Sequence, residues 1–232
     1  MNKQEIYRRI ENFAPPELAE SWDCSGVLVE TPTQDIKKIL FALTVTEDII
    51  RQAKALNCDM IISHHPLFYI PLEWRGIDIY CAHTNMDKTH GGTTDELIKI
   101  LGLTVSECEE FVRFAEIETT VKEFAARLAA ISPNLRYVNN KGISKLHKIA
   151  FCAGSGTEFI KEAKENGADA FVSGDLKFHT ALDSDIVVFD IGHFESERAI
   201  LKVFADIVGD GVEKSFAEEK SPFIYYGKNK PC

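Results

Sequence analysis

Histidine and carboxylate recur in this chain at spacings suited to holding metal ions. His64 and His65 are adjacent, and a His-x-x-x-acid spacing occurs at matching places of the chain, at His83/Asp87 and at His193/Glu197. Neighbouring residues of an extended chain point to opposite sides, and Pro66 keeps His65 out of helical geometry. Two diverging imidazoles suit two metal ions better than one, and paired ions about 3.5–4 Å apart are a common hydrolytic arrangement. Adjacent histidines also occur as plain loop or core residues, so spacing alone does not decide between these readings. His193 and Glu197 open a stretch that reads as a helix with an apolar face, 193–204. At i and i+4 they project from one side of its first turn, although an ordinary exposed helix pair reads the same way. Gly192 lets the backbone come close to a ligand there. Imidazole and carboxylate without thiolate suit zinc, iron, manganese, cobalt or nickel.

The elements that must position these residues form an internal repeat. Shifted by 110 residues, segment 37–69 aligns without a gap on segment 147–179. Identical pairs include Lys38/Lys148, Phe41/Phe151, Ile50/Ile160, Ala53/Ala163, Asp59/Asp169, Ser63/Ser173 and Phe68/Phe178. Each copy reads as an apolar strand (39–43, 149–153), a Thr- or Gly-rich turn, an amphipathic helix (47–56, 157–166) and a second apolar strand (60–63, 170–173). That is β-α-β, the unit of a parallel sheet with a right-handed crossover. The register runs on to a third apolar strand in 77–87 and 187–197, pairing His83 with His193 and Asp87 with Glu197. Helices over 3–13 and 121–131 open the two halves. The expected division is 1–112, carrying the His-His pair and Asp87, and 113–232, carrying His193 and Glu197. No Pro/Gly/Ser linker marks it, so the halves are expected to pack together.

Ligands of open parallel sheets bind beyond the carboxyl ends of the strands. This selects His64, His65, His83 and Asp87 in the first half, and Asp175, His179, His193 and Glu197 in the second. A two-metal site of approximate twofold symmetry takes one carboxylate from each half, which raises Asp87 and Glu197 together.

Composition narrows the function classes. The 232 residues carry a formal charge of −10, which disfavours a phosphate backbone as partner. No apolar run reaches the ~18 residues of a membrane span, and the first residues lack the apolar core of a signal peptide, so a cytoplasmic location is expected. The cysteines, Cys24, Cys58, Cys81, Cys108, Cys152 and Cys232, include no CxxC spacing. They read as incidental thiols, with Cys58, Cys81 and Cys152 as small core residues.

A family pattern now comes into view. Ser63-His-His-Pro66, Ala82-His-Thr-Asn-Met-Asp87, Gly91-Gly92, Gly174-Asp-Leu-Lys-Phe-His179 and Gly192-His-Phe-Glu-Ser-Glu197 resemble the Nif-three-like dinuclear metal centre proteins, also labelled GTP cyclohydrolase I type 2 homologs. The resemblance runs from Trp22-Asp23 to about Pro222. It implies an α/β fold of two similar intertwined lobes, each with a mostly parallel sheet flanked by helices. It implies two divalent ions per chain, held by His64, His65, Asp87, His193 and Glu197, with His83 and His179 nearby but not ligands. It also implies a homohexamer, a trimer of dimers. The chain departs from the pattern at Cys24, Thr44, the segment Val112-Arg113-Phe114-Ala115, and Thr94. None of these is an expected ligand, but Cys24 and Thr44 bear on neighbouring and substrate contacts.

The expected function is a cyclohydrolase-like, metal-dependent hydrolase acting through metal-bound hydroxide between the lobes. His83 or His179 would carry the proton. The substrate would be a small molecule such as a nucleotide, for which Arg75, Lys88, Arg113 and Lys177 are the nearest cations in sequence, though each reads first as a solvated surface charge. Trp74 reads as a rim aromatic. The alternative is a non-catalytic metal-binding hexameric assembly or regulatory protein. A nucleic-acid partner is disfavoured by the acidic balance.

Overall fold

The computed structural model describes residues 1–224. In chain order the elements are α1 (Lys3–Phe13), β1 (Gly26–Val29), β2 (Lys38–Ala42), α2 (Glu47–Ala55), β3 (Met60–Ser63), β4 (Asp78–Cys81), α3 (Thr84–Lys88) and α4 (Thr93–Ile100). There follow β5 (Glu107–Cys108), β6 (Arg113–Thr120), α5 (Val121–Ala129), β7 (Arg136–Val138), β8 (Lys145–Phe151), α6 (Ile160–Glu165), β9 (Ala170–Ser173) and α7 (Phe178–Asp183). The last are β10 (Val187–Asp190), α8 (His193–Glu197), α9 (Ile200–Val208) and β11 (Glu213–Phe216). The fold is α/β, with two sheets flanked by helices. No helix among the described residues is long and apolar enough to cross a membrane.

The first sheet has the order β1-β4-β3-β2-β11, parallel throughout except for the edge strand β1. The second has the order β5-β6-β8-β9-β10-β7, with a parallel centre β8-β9-β10 and antiparallel strands outside it. The central strands are buried on both faces, which is why they read as unbroken apolar runs rather than alternating ones.

The repeat is visible in its details. Asp59 Oδ2 accepts the N–H groups of Lys37 (2.7 Å) and Lys38 (3.1 Å). Asp169 Oδ2 accepts those of His147 and Lys148 at the same distances. The helix α2 is followed by Asn57 at φ 53°, and α6 by Gly167 at φ 82°. Both residue types enter the left-handed region that ends helices. The register slips in the third strand, however. Ser63 of β3 is paired with Cys81, whereas Ser173 of β9 is paired with Asp190. Here the offset is 109, so Gly192, not His193, stands in the place of His83. His83 therefore precedes its helix, while His193 is the first residue of α8.

The chain divides into two compact units, residues 1–93 with 199–219, and residues 94–198 with the described part of 220–232. The expected cut at 112/113 falls inside the antiparallel pair β5-β6. The physical reason is an exchange of terminal elements. Leu97, Ile98 and Leu101, on and just beyond α4, are core residues of the second unit. The helix α9 packs on α1 and β2, and β11 extends the first sheet beside β2. The expected single helix over 193–204 is accordingly broken at Arg198-Ala199, where the chain leaves one unit for the other. Crossing chains of this kind are what the intertwined reading anticipates.

Candidate metal centre

In the first unit, β3 ends at Ser63 and hands the chain to His64 and His65. His64 is fully buried. Its Nδ1 lies 3.0 Å from the Ala82 carbonyl, which can only accept, so Nδ1 carries the proton. The lone pair is then on Nε2, which faces Asp87 Oδ1 at 3.4 Å. This is how metal-binding histidines are usually held, with one nitrogen fixed by backbone and the other turned to the ion. His65 Nδ1 lies 2.6 Å from Thr44 Oγ1. The His64, His65 and His83 rings cluster, with centroids 5.2 to 6.0 Å apart. Ligand atoms of His64, His83 and Asp87 lie within 4.8 Å of one another, a donor set able to hold a cation.

His83 has a partner that spacing did not reveal. Its Nδ1 is 3.1 Å from Asp23 Oδ1. Asp23 also receives the Thr84 N–H (3.0 Å), the Thr84 hydroxyl (2.5 Å), the Ser25 hydroxyl (2.8 Å) and the Cys24 N–H (2.7 Å). Burial opposes ionisation of this carboxyl, but the hydrogen bonds from Thr84 and Ser25 outweigh it and bring its pKa down to about 2. Burial, reinforced by His64, pushes His83 toward its neutral form. The result is an imidazole held by an ionised carboxylate on Nδ1, with Nε2 as its basic atom. Trp22-Asp23 is part of the family pattern. Its tie to His83 is formed across sixty residues of chain and leaves no trace in local spacing.

In the second unit, His193 Nδ1 lies 2.8 Å from Asp175 Oδ2, and its Nε2 lies 3.1 Å from Glu197 Oε2. The hydrogen bond that His193 donates to Glu197 is the largest of the effects on its pKa, which is raised to about 9. With Nδ1–H donated to Asp175, Nε2 and a nearly buried carboxylate face each other, and a cation must lie between them. A proton or a metal ion meets that need. Asp175 takes φ 54°, an uncommon conformation that turns its carboxylate toward His193. Gly154 makes room for Glu197: a Cβ there would lie 2.3 Å from Glu197 Oε1, at a φ of +70°. Gly154→Ala is expected to displace the Glu197 carboxylate, lower stability by about 1–3 kcal/mol, and weaken metal binding. Denaturant melts beside a metal titration would show both, and unchanged affinity would remove Gly154 from the site.

These geometries meet a wider likeness. Residues 1–222 match the family model described as Duf34/NIF3 (NGG1p interacting factor 3). The chain belongs to the Duf34/NIF3 family. A GTP cyclohydrolase 1 type 2 homolog of Clostridium perfringens is 32% identical, over 97% of this chain and all of that one. Among solved structures, HcgD of Methanocaldococcus jannaschii has a TM-score of 0.82 at 26% identity, covering 94% of this chain and 98% of its own. A hypothetical protein of Staphylococcus aureus has a TM-score of 0.85 at 22% identity, covering 97% and 99%, which speaks for the fold.

Other residues of this Duf34/NIF3 chain fall differently from expectation. Arg113 is buried, not a surface charge or a phosphate contact. It donates to Asp95 (2.7 Å) and to the carbonyls of Glu109 and Glu110. Lys88 is engaged by Glu20, while Arg75 and Lys177 are exposed. His179 is exposed on α7 with its ring against Phe178, and no hydrogen bond ties it to His193 or Glu197 among the described residues. Trp74 packs partly buried against the first unit's core. Cys58, Cys81 and Cys152 are buried as expected, whereas Cys108 is exposed; Cys232 lies outside the described residues. Of the departures from the family pattern, Thr44 touches His65, Thr94 Oγ1 accepts the Ala153 N–H (3.1 Å), and Cys24 donates its N–H to Asp23. Glu219 was not anticipated. Its carboxylate accepts the N–H groups of Leu43 (2.7 Å) and Thr44 (3.0 Å), fixing the turn that presents Thr44 to His65.

Proposed function

We propose that this protein is a metal-dependent hydrolase in which His64, His65, Asp87, His193 and Glu197 hold two divalent ions. One observation carries the reading. His64 and His193 each have Nδ1 bound to a hydrogen-bond acceptor and Nε2 turned to a carboxylate. Imidazole and carboxylate donors suit zinc, iron, manganese, cobalt or nickel. Such ions supply Lewis acidity and make water ionisable near neutral pH. His83 then accepts a proton at Nε2, and Asp23 holds its ring and the proton on Nδ1. His179 is the second candidate proton carrier. The substrate class is a small molecule, and the name borne by the Clostridium perfringens relative makes GTP the first nucleotide to try.

The same reading places the protein in the cytoplasm as a homohexamer, a trimer of dimers. Phe68 and Leu72 in the first repeat are exposed, and so are Phe178 and Leu182 at the matching positions of the second. Repeated apolar patches of this kind favour burial in an assembly. They also support the second reading, a non-catalytic metal-binding assembly.

The test is metal analysis of protein loaded with each ion, followed by assay on GTP, other nucleotides and phosphoesters. About two ions per chain are expected for a dinuclear centre, and a value near zero overturns the site. Two ions with no turnover on any substrate would favour the non-catalytic assembly.

A further inference from the structure

Asp175 stands on the loop after β9, and His193 opens α8 just beyond β10. Their 2.8 Å contact requires the two segments to be held at a fixed separation. Asp190, the last residue of β10, ties both. Its Oδ1 accepts the Gly192 N–H (3.0 Å) and its Oδ2 accepts the Leu176 N–H (3.1 Å). Gly192 immediately precedes His193, and Leu176 immediately follows Asp175. Arg136, the cross-strand neighbour of Asp190 on β7, completes the clamp. Its Nε donates to Asp190 Oδ2 (2.8 Å) and its Nη2 to the Leu176 carbonyl (2.8 Å). Asp190 is 6% exposed, so its bond to the Leu176 N–H, which is buried, meets little competition from water. At the equivalent ladder position of the first sheet stands Cys81. Its Sγ donates to the His64 carbonyl at 3.0 Å, an uncharged tie to the loop that carries the other ligands.

We infer that Asp190, backed by Arg136, is a positioning residue that sets the alignment of Asp175, His193 and Glu197 for metal binding. The inference rests on the reading of His193 and Glu197 as ligands given above. A purely structural cross-strand ion pair would act differently. The Arg136 side chain is 67% exposed, so such a pair would contribute little stability and its loss would leave the ligand field alone. As a positioning group, Asp190 belongs with the outer partners of metal ligands, whose removal typically weakens binding by about 10–100-fold.

The experiment is titration of the full chain with cobalt(II), read by affinity and by the d–d absorption band, which reports ligand geometry. Asp190→Ala is expected to weaken cobalt binding by about 10–100-fold and to shift the band. Asp190→Asn keeps an oxygen for Gly192 but loses the Leu176 tie, and Arg136→Gln loosens the clamp from outside. Both are expected to shift the band in the same direction by less, and they carry the test if the alanine variant does not fold. Folded Asp190→Asn and Arg136→Gln proteins with wild-type affinity and spectrum would overturn the inference. His193→Ala separates the two levels. If it loses cobalt while the Asp190 and Arg136 variants bind as wild type, only the positioning role fails. If the wild type binds no cobalt, or His193→Ala binds as wild type, the metal reading fails and this inference falls with it.

Discussion

His64→Ala is expected to lower metal affinity by at least about 100-fold, beyond what the loss of an outer partner usually costs. The side chain is wholly buried, its Nε2 faces Asp87, and its ring touches the other two imidazoles of the cluster. Truncation removes the donor and also strands the Ala82 carbonyl that Nδ1 serves. An unsatisfied buried acceptor costs about 1–3 kcal/mol, so the metal-free variant should also melt lower. Metal analysis and a denaturant melt on the same sample separate the two effects. Turnover that persists in folded His64→Ala protein would rule out the proposed chemistry, whatever the substrate.

Asp23→Asn is expected to damage catalysis without emptying the metal centre. The carboxylate fixes His83 by its Nδ1, and an amide in its place can present an N–H to that nitrogen and reverse the tautomer. Loss of a positioned acid–base group typically reduces rate by about 10²–10⁴-fold. A stability signature accompanies the kinetic one. The folded pKa of about 2 lies below the ordinary aspartate value of 3.8. A depressed carboxyl contributes stability above its unfolded pKa and loses it as pH falls through the folded one. The wild type should therefore lose about 2 kcal/mol between about pH 4 and pH 2 from this group, and Asp23→Asn should lack that component. Equal acid sensitivity of the two proteins, measured by urea midpoints across that range, would contradict the assignment.

Much of this was legible in the residues because both copies spell their elements the same way. β3 and β9 lie on the runs that apolarity predicts, and α1 spans its predicted residues, since continuous burial and helical periodicity are local properties. Fixed-offset comparison failed where the chain changed length. The one-residue slip before β10 pairs His83 with Gly192, and an ungapped alignment that finds histidine opposite histidine conceals it. Arg113 reads as a surface charge because its neutralising partner, Asp95, comes from α4, and its carbonyl acceptors lie in the turn between β5 and β6. Asp23, Asp190 and Glu219 each reach at least one partner distant in sequence, His83, Leu176 and Leu43. Side-chain type says that they are able to accept hydrogen bonds and says nothing of whose. The exchange of α4 and α9 was equally hidden, because an amphipathic helix shows which face it buries but not against which partner.

That exchange bears on how the protein is made. A chain emerging from the ribosome supplies residues 1–93 first, yet the first unit still lacks α9 and β11. Until residues 213–216 appear, β2 is a bare sheet edge, and the faces of α1 and β2 that α9 covers stay open. Nascent first units would be sticky throughout that wait, because unpaired edges recruit other chains. Completion of the first unit thus waits until the whole second unit up to residue 198 has been made, and products truncated before β11 should be retained by chaperones or degraded rather than released as half-proteins.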